Sequence, residues 1–191
     1  MRKANKEAAK KAVRDLLVAF GEDLKSPDLE GTPERVAESW LGEFLTGYAM
    51  DPREALGESV DAGDSGLTVI RDISFLSVCP HHLLPYRGVA HIAYYPGGRT
   101  IGFSRIVRLL DGYARRLTLQ ERITREVPVA LCRHLKARAA ACVLVTDQTC
   151  LQMRGVARPE SRVVTTEFVG EKRDVKNLRA ELGVILRDVF R

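Results

Sequence analysis

Apolar residues in the first third of the chain recur at the spacing of an amphipathic helix. Val13 and Leu17 belong to this series, and lysine and glutamate occupy the positions between. A loop rich in Gly, Asp, Ser and Pro follows, after which Thr32 and Pro33 are expected to supply the cap and first turn of a second helix. The pattern predicts that residues 1–60 form an N-terminal helical segment.

In the rest of the chain the period changes to that of β-strands. Apolar and β-branched runs predict strands at 67–78, 89–95, 139–147 and 162–169. Two helices are predicted between the second and third strands, and another at the C-terminus. Paired strands that flank two helices predict an α+β domain over residues 61–191. Since antiparallel pairs leave sheet edges that one chain does not close, we expect association through those edges.

The second of the two central helices has a distinctive start. Thr118 and Glu121 stand at capping-box spacing, which predicts that the helix begins there. Pro128 falls inside the helix and is expected to kink it or to loosen one turn. Glu121 has a second interpretation, because a carboxylate could accept two N–H bonds from the edge of a guanine. The spacing is compatible with both roles.

Composition narrows the class of protein. Of the 191 residues, 45% are hydrophobic and 29% are charged, which excludes a disordered chain. The longest apolar run, Ala139–Val145, is far shorter than the ~20 residues of a membrane helix, so no membrane association is expected. No apolar stretch follows the basic N-terminus, so we expect no signal peptide and a cytoplasmic location. The net charge of +5 favours an anionic partner, either nucleic acid or a phosphorylated small molecule.

Candidate metal ligands are concentrated in Cys79-Pro80-His81-His82, at the end of a predicted strand. The C-x-x-H spacing of Cys79 and His82 lets a thiolate and an imidazole bind one metal ion, and zinc suits this pair. The best third ligand is Cys150, which we expect to end the strand that begins near Ala139. Three protein ligands leave a fourth position open for water, as in catalytic zinc sites. The alternative is a buried thiol beside a surface histidine.

A second candidate site starts at Gly102. The Gly-x-Ser turn at the start of a predicted helix presents backbone N–H groups to an anion. Arg105 and Arg108 lie three positions apart on one helical face, where they could hold a triphosphate. A solvated basic helix start is the alternative. Arg154 adds a further arginine close to Cys150.

Several of these segments together resemble one known family. The stretch SVCPHHLLPYRGVAHIAYYPGGRTIGFSRIVRLLDGYARRLTLQERIT, the later TCLQMRGV and the early GTPERVAESW are similar to segments of GTP cyclohydrolase I. They occur in the right order over most of residues 31–170. The resemblance implies a tunnelling fold, in which antiparallel sheets of several subunits close into a barrel. It also implies a homo-oligomer, expected to be a decamer, with sites between subunits.

The resemblance also implies roles for individual residues. Zinc would be bound by Cys79, His82 and Cys150, with His81 as a proton-transfer residue. Guanine would be faced by Gln120 and Glu121. The triphosphate and ribose of GTP would be held by Ser104, Arg105, Arg108 and Arg154. The implied reaction opens the purine ring at C8, releases formate and forms 7,8-dihydroneopterin triphosphate.

One departure from the family bears on the reaction. Gln148 stands where the family has a histidine, two residues before the third zinc ligand. Because glutamine cannot exchange a proton near neutral pH, the reaction could stop at the ring-opened formamidopyrimidine nucleotide. The sequence is also compatible with a non-catalytic nucleotide-binding relative, and its charge with a basic RNA-binding module. It lacks an RNP-like aromatic pattern, however, so we expect no nucleic-acid partner.

Overall fold

A computed structural model describes residues 4–63, 66–187 and 189. Contacts divide the chain into two compact units, one ending at Thr46 and the other beginning at Gly47. The division into a helical segment at 1–60 and a catalytic domain at 61–191 stays a prediction. Within the described residues, no helix is both long and apolar enough to traverse a bilayer.

The first unit is helical, as predicted. It contains α1 (Lys6–Ala19), α2 (Thr32–Ser39) and a π-helical turn at Trp40–Phe44. The side chain of Asn5 caps α1 by accepting a hydrogen bond from the backbone N–H of Ala8 at 3.0 Å. The capping role predicted for Thr32 is wrong: Gly31 is the N-cap, in the left-handed conformation, and Thr32 is the first helical residue. Pro33 does occupy the first turn.

The second unit mixes helices with two antiparallel sheets. A 3₁₀ turn covers Thr46–Ala49, and the elements that follow are α3 (Pro52–Leu56), β1 (Val60–Asp61), β2 (Thr68–Val78), β3 (Pro85–Tyr95), β4 (Arg99–Thr100), α4 (Phe103–Ala114), α5 (Gln120–His134), β5 (Ala139–Asp147), α6 (Thr149–Gln152), β6 (Val163–Gly170) and α7 (Lys172–Ile185). The four long strands and α4, α5 and α7 were predicted from the pattern. The short elements were not, because a few residues carry too little periodicity.

The main sheet has the strand order β2-β3-β5-β6, and all neighbouring strands are antiparallel. Its second strand, β3, therefore pairs with β2 on one side and with β5 on the other. At one end of β3, Pro85 is paired with Val78, and Arg87 is paired with Asp147. This register brings the end of β2 and the end of β5 to the same edge of the fold.

The two faces of the main sheet are covered by different helices. On one face, Ile92, Tyr94 and Leu144 pack against the apolar sides of α4 and α5. On the other face, α7 packs against the first half of β5 and the last residues of β3. The hydroxyl of Tyr95 donates to a carboxylate oxygen of Glu181 at 2.7 Å, which fastens α7 to the sheet. The predicted α+β architecture is confirmed.

The predicted capping box at the start of α5 is wrong. Leu119 is the N-cap of this helix, and Thr118 precedes it without bonding to the free N–H groups of the first turn. Glu121 is then the second residue of the helix, so it has no Thr118 partner to complete a box. The helix continues through Pro128 to His134. Glu121 lies in the first turn of α5, where the helix dipole favours a negative charge, but it is not part of a capping box.

Candidate active site

The tight turn between β2 and β3 positions the first two candidate ligands. The N–H of Leu83 donates to the carbonyl of Cys79 at 2.9 Å, and the N–H of Cys79 donates to the carbonyl of Leu84 at 3.0 Å. Leu83 adopts a left-handed backbone conformation with φ of 55°, which reverses the chain. Within this turn the buried thiol of Cys79 and the exposed imidazole of His82 come together.

Strand pairing brings the third candidate ligand, Cys150, close to the other two. Because β5 is paired with β3, its end lies beside the β2–β3 turn, and the hydroxyl of Thr149 donates to the carbonyl of Pro85 there. We expected Cys150 to end the strand, but β5 stops at Asp147 and Cys150 lies in the short helix α6. The turn of helix directs its thiol back toward the end of β2.

The resulting cluster fits a metal ion. One ligand atom each from Cys79, His82 and Cys150 lies within 4.8 Å of the other two. Two sulfur donors and one imidazole form a set that zinc binds, and three protein ligands are the number found in catalytic zinc sites. Burial raises the pKa of the Cys150 thiol, and the neighbouring Cys79 raises it further. A bound cation would have to displace the proton of the Cys150 thiol, so metal affinity would increase with pH.

A cavity of about 250 Å³ adjoins the cluster. Six of the residues predicted from the sequence are in its wall: Cys79, His81, Gln120, Glu121, Gln148 and Cys150. They come from the turn after β2, from the start of α5, and from the segment that follows β5. The cavity therefore combines possible metal ligands, a histidine and a carboxylate within reach of one small molecule.

The amides of Gln120 and Gln148 are bonded to each other inside this wall. The Nε2 of Gln148 donates to the Oε1 of Gln120 at 2.9 Å and to the hydroxyl of Thr146 at 3.0 Å. Gln120 is 3% exposed, and its own Nε2 is directed toward the sheet. The amide of Gln120 is therefore engaged by protein groups, although the residue lines the cavity.

The predicted phosphate-binding residues Ser104, Arg105 and Arg108 lie outside the wall of this cavity. Of the described residues that line the cavity, none belongs to the first turn of α4, which carries Ser104 and Arg105 and is followed one turn later by Arg108. The guanidinium of Arg105 occupies the space that a side chain at Gly57 would take. Arg154 does reach the metal cluster, where one of its guanidinium nitrogens lies 2.9 Å from Nε2 of His82.

The sequence analysis missed Tyr86. Its ring lines the cavity and is 4% exposed, and its hydroxyl has no hydrogen-bond partner among the described residues. The same is true of the hydroxyl of Ser77, the residue paired with it on β2. Burial raises the pKa of Tyr86 to about 12. Strand alternation would have placed Tyr86 on the inner face, but the strand was predicted to start at Val89, and the structure extends it back to Pro85.

A small cavity that joins a Cys-His-Cys cluster to a histidine and a carboxylate is typical of a metal-dependent hydrolase. Comparison with known proteins specifies the class. Residues 9–187 match the family model of GTP cyclohydrolase I. The chain belongs to the GTP cyclohydrolase I family, and it is therefore an enzyme.

Individual relatives agree with the family match. GTP cyclohydrolase 1 of Ralstonia nicotianae is 44% identical over 170 residues, which span 89% of this chain and 81% of the relative. The protein of the same name from Gloeobacter violaceus is 42% identical over 172 residues, or 89% and 79% of the two chains. That of Streptomyces coelicolor is 36% identical over 184 residues, or 95% and 91%. Family membership and the antiparallel sheet with its flanking helices confirm the predicted fold of the single chain, and the closing of several subunits into a barrel stays a prediction.

Proposed function

We propose that this enzyme is a zinc-dependent GTP cyclohydrolase that hydrolyses GTP at C8, releases formate and forms 7,8-dihydroneopterin triphosphate. The observation that carries the proposal is the contact of one cavity with both the Cys79–His82–Cys150 cluster and the carboxylate of Glu121. When bound by these three side chains, zinc would supply the Lewis acidity that activates water at neutral pH. The remaining roles belong to the side chains of the chain itself.

His81 is proposed as the proton-transfer residue. It lines the cavity and directly precedes His82, and the centres of the two rings are 6.3 Å apart. Opening the imidazole ring of a purine requires a proton on the departing nitrogen. An exposed imidazole is the side chain best suited to deliver a proton at neutral pH.

Glu121 is proposed to select guanine. It projects from the second position of α5 into the cavity wall, and the capping alternative lacks support because Thr118 does not act as the N-cap. The two carboxylate oxygens can accept hydrogen bonds from the N1–H and the 2-amino group of guanine. Adenine has neither an N1–H nor a 2-amino group, so it would leave both carboxylate oxygens without a partner.

Ser104, Arg105 and Arg108 are proposed to bind the triphosphate in the cavity of a neighbouring subunit, and Arg154 to act beside the metal cluster. Their separation from the cavity of their own chain supports sites shared between subunits. The sheet ends in β2 on one side and β6 on the other, which leaves two strands available for pairing with further copies. We propose that such pairing closes a barrel and that two rings form a homodecamer.

A second candidate reaction is favoured by the surroundings of Gln148. The amide is held by Gln120 and Thr146 and carries no titrating group. The steps after ring opening need further proton transfers, so the enzyme could release the formamidopyrimidine triphosphate instead of the pterin. Asp147 lies next to Gln148 and could supply the missing proton carrier.

One incubation tests these assignments. Zinc-loaded protein is mixed with GTP, and the products are identified by mass and ultraviolet spectrum. Dihydroneopterin triphosphate together with formate supports the first reaction, and the formamidopyrimidine nucleotide as sole product supports the second. GTP that is bound but not consumed would overturn both and indicate a nucleotide-binding paralogue. Binding of RNA in preference to GTP would contradict the proposed substrate.

The proposed compartment is the cytoplasm. All four cysteines, which lie within the described residues, carry free thiols. A reducing compartment preserves thiols in this state, which the metal cluster requires.

A further inference from the structure

The buried amide of Gln120 has only one possible orientation. Its Nε2 lies 3.3 Å from the carbonyl oxygen of Leu144, 3.1 Å from that of Val163 and 3.0 Å from the hydroxyl of Thr165. A backbone carbonyl can only accept hydrogen bonds, so the NH₂ group of Gln120 must face the sheet. The opposite orientation would place the carbonyl oxygen of this buried amide against two other carbonyl oxygens.

The orientation of Gln120 determines that of Gln148. With its NH₂ group toward the sheet, Gln120 directs Oε1 toward the hydroxyl of Thr146 at 2.6 Å and the amide of Gln148 at 2.9 Å. Because Oε1 can only accept, Gln148 must present its NH₂ group to it. The same NH₂ group also lies 3.0 Å from the Thr146 hydroxyl, which accepts a hydrogen bond from it. The NH₂ group of Gln148 is therefore held by the wall of the cavity, and the orientation of the amide is fixed.

At the other end of this hydrogen-bond network, the hydroxyls of Thr124 and Thr165 also have fixed donor and acceptor roles. The hydroxyls of Thr165 and Thr124 lie 2.6 Å apart, and the Thr124 hydroxyl donates to the backbone carbonyl of Gln120 at 2.8 Å. Thr124 uses its hydrogen there, so Thr165 must donate to Thr124 and accept from Gln120. Each group in the chain from Thr124 to Gln148 thus has one direction of donation, and a reversal at any position would leave two donors or two acceptors facing each other.

We propose that Gln148 is a substrate-binding residue that presents a fixed hydrogen-bond acceptor to the cavity, with Gln120 and Thr146 as the residues that position it. The NH₂ group of Gln148 is engaged by the wall, and its Oε1 has no hydrogen-bond partner among the described residues. This oxygen accepts an N–H or O–H group of the bound purine nucleotide. The inference rests on the proposed function and defines what glutamine does at a position where proton transfer is impossible.

Kinetic measurements distinguish a hydrogen-bond acceptor at position 148 from a residue that transfers a proton. Removing a single hydrogen bond between uncharged groups weakens binding by about threefold to tenfold, the equivalent of ~0.5–1.5 kcal/mol. We expect Gln148→Met to raise KM for GTP by that factor, with kcat reduced less than KM is raised. The pH profile of kcat/KM should keep its shape, since no titrating group is lost. An altered profile, or an unchanged KM, would overturn the proposal.

A substitution of Thr146 tests whether its hydroxyl positions Gln148, and it leaves the substrate-binding side chain itself unchanged. Thr146 is 1% exposed, and Thr146→Val keeps its shape while it removes the hydroxyl that holds Gln148. We expect the same increase in KM as for Gln148→Met, the same pH profile, and restoration of KM by Thr146→Ser. The matched control is Thr166→Val on the exposed face of β6, which should retain the wild-type KM.

Two results would separate this inference from the proposed function. Wild-type protein that neither binds nor consumes GTP refutes the proposed function, and with it the inference, which requires a bound purine nucleotide. Wild-type protein that consumes GTP, together with a Thr146→Val variant that folds and retains the wild-type KM, refutes the inference alone. Failure of Thr146→Ser to restore KM would also refute it, because a lost hydroxyl would then not be the cause.

Discussion

The thiols of Cys79 and Cys150 lie within 4.8 Å of each other, although they belong to distant parts of the chain. Their proximity follows from the central position of β3, which is paired with the strand before each of them. His82 completes the cluster from the turn after β2. Each ligand therefore depends on the same strand register, and a shift of β5 along β3 would separate Cys150 from the other two.

Removal of Cys150 should abolish metal binding. We expect Cys150→Ala to retain little zinc and little activity, because two remaining ligands cannot hold the ion tightly. Metal content per chain, measured after dialysis, checks this. The matched control is Cys132→Ala, since the Cys132 thiol lies on α5 near the carbonyl of Val169 and away from the cavity. Full zinc content in Cys150→Ala would contradict the assignment.

Glu121 should determine nucleotide selectivity. We expect the wild type to prefer GTP over ATP by roughly 10²-fold or more, because adenine would leave both carboxylate oxygens unpaired in the site. Glu121→Gln should reduce the ratio of kcat/KM values at least tenfold, mainly through GTP. Glu126→Gln, on the same helix but outside the cavity wall, serves as the control. Equal use of ATP and GTP by the wild type would refute this role.

The residue at position 148 should control the later steps of the reaction. We expect the ring-opened intermediate to accumulate transiently in the wild type, and Gln148→His to shorten its lifetime at least tenfold. The physical reason is that general acid–base catalysis typically contributes ~10²–10⁴ in rate, and histidine can provide it where glutamine cannot. Rapid-quench sampling with mass detection follows both species. If the two proteins form the pterin equally fast, the idea is wrong.

Tyr86 should make the protein lose stability in alkaline solution. Burial raises its pKa in the folded state to about 12, whereas the unfolded chain titrates near 10. The contribution of the protonated Tyr86 to the free energy of unfolding is complete below pH 10 and is lost as pH rises toward 12. In that range only the unfolded state releases the proton. Tyr86→Phe should remove about 2–3 kcal/mol of this decline in the free energy of unfolding. Identical alkaline slopes for the two proteins would contradict the expectation.

Two glycines should respond to alanine with opposite signs. Gly170 ends β6 at φ of 136°, and an added Cβ would clash with the carbonyl oxygen of Arg138. Gly170→Ala should therefore lower the free energy of unfolding by roughly 1–3 kcal/mol. Gly183 lies within α7 with open space around it, so Gly183→Ala should raise stability by roughly 0.5–1 kcal/mol. Thermal unfolding of both variants checks the signs, and a stabilised Gly170→Ala would refute the strain argument.

Local patterns were sufficient to predict the class of fold and two of the three residues of the Cys-His-Cys cluster. The apolar and β-branched runs of β2 and β5 and the helical period of α4 and α7 extend over many residues of each element, so the sequence itself carries that information. The C-x-x-H spacing likewise indicated two candidate ligands, Cys79 and His82, because they belong to one turn of four residues. Boundaries were less certain: the start of β3 and the N-cap of α5 depend on hydrogen bonds to other parts of the fold.

Only the tertiary structure decided which residues from distant parts of the chain come into contact. Strand register brought Cys150 to Cys79 and placed Tyr86 in the cavity wall, and no local pattern contains that register. Tertiary packing also decided that the amide of Gln120 is engaged by the sheet, because the carbonyls of Leu144 and Val163 come from two other strands. Sequence spacing determines which groups a short segment can present, and long-range pairing of the backbone determines which groups those segments meet.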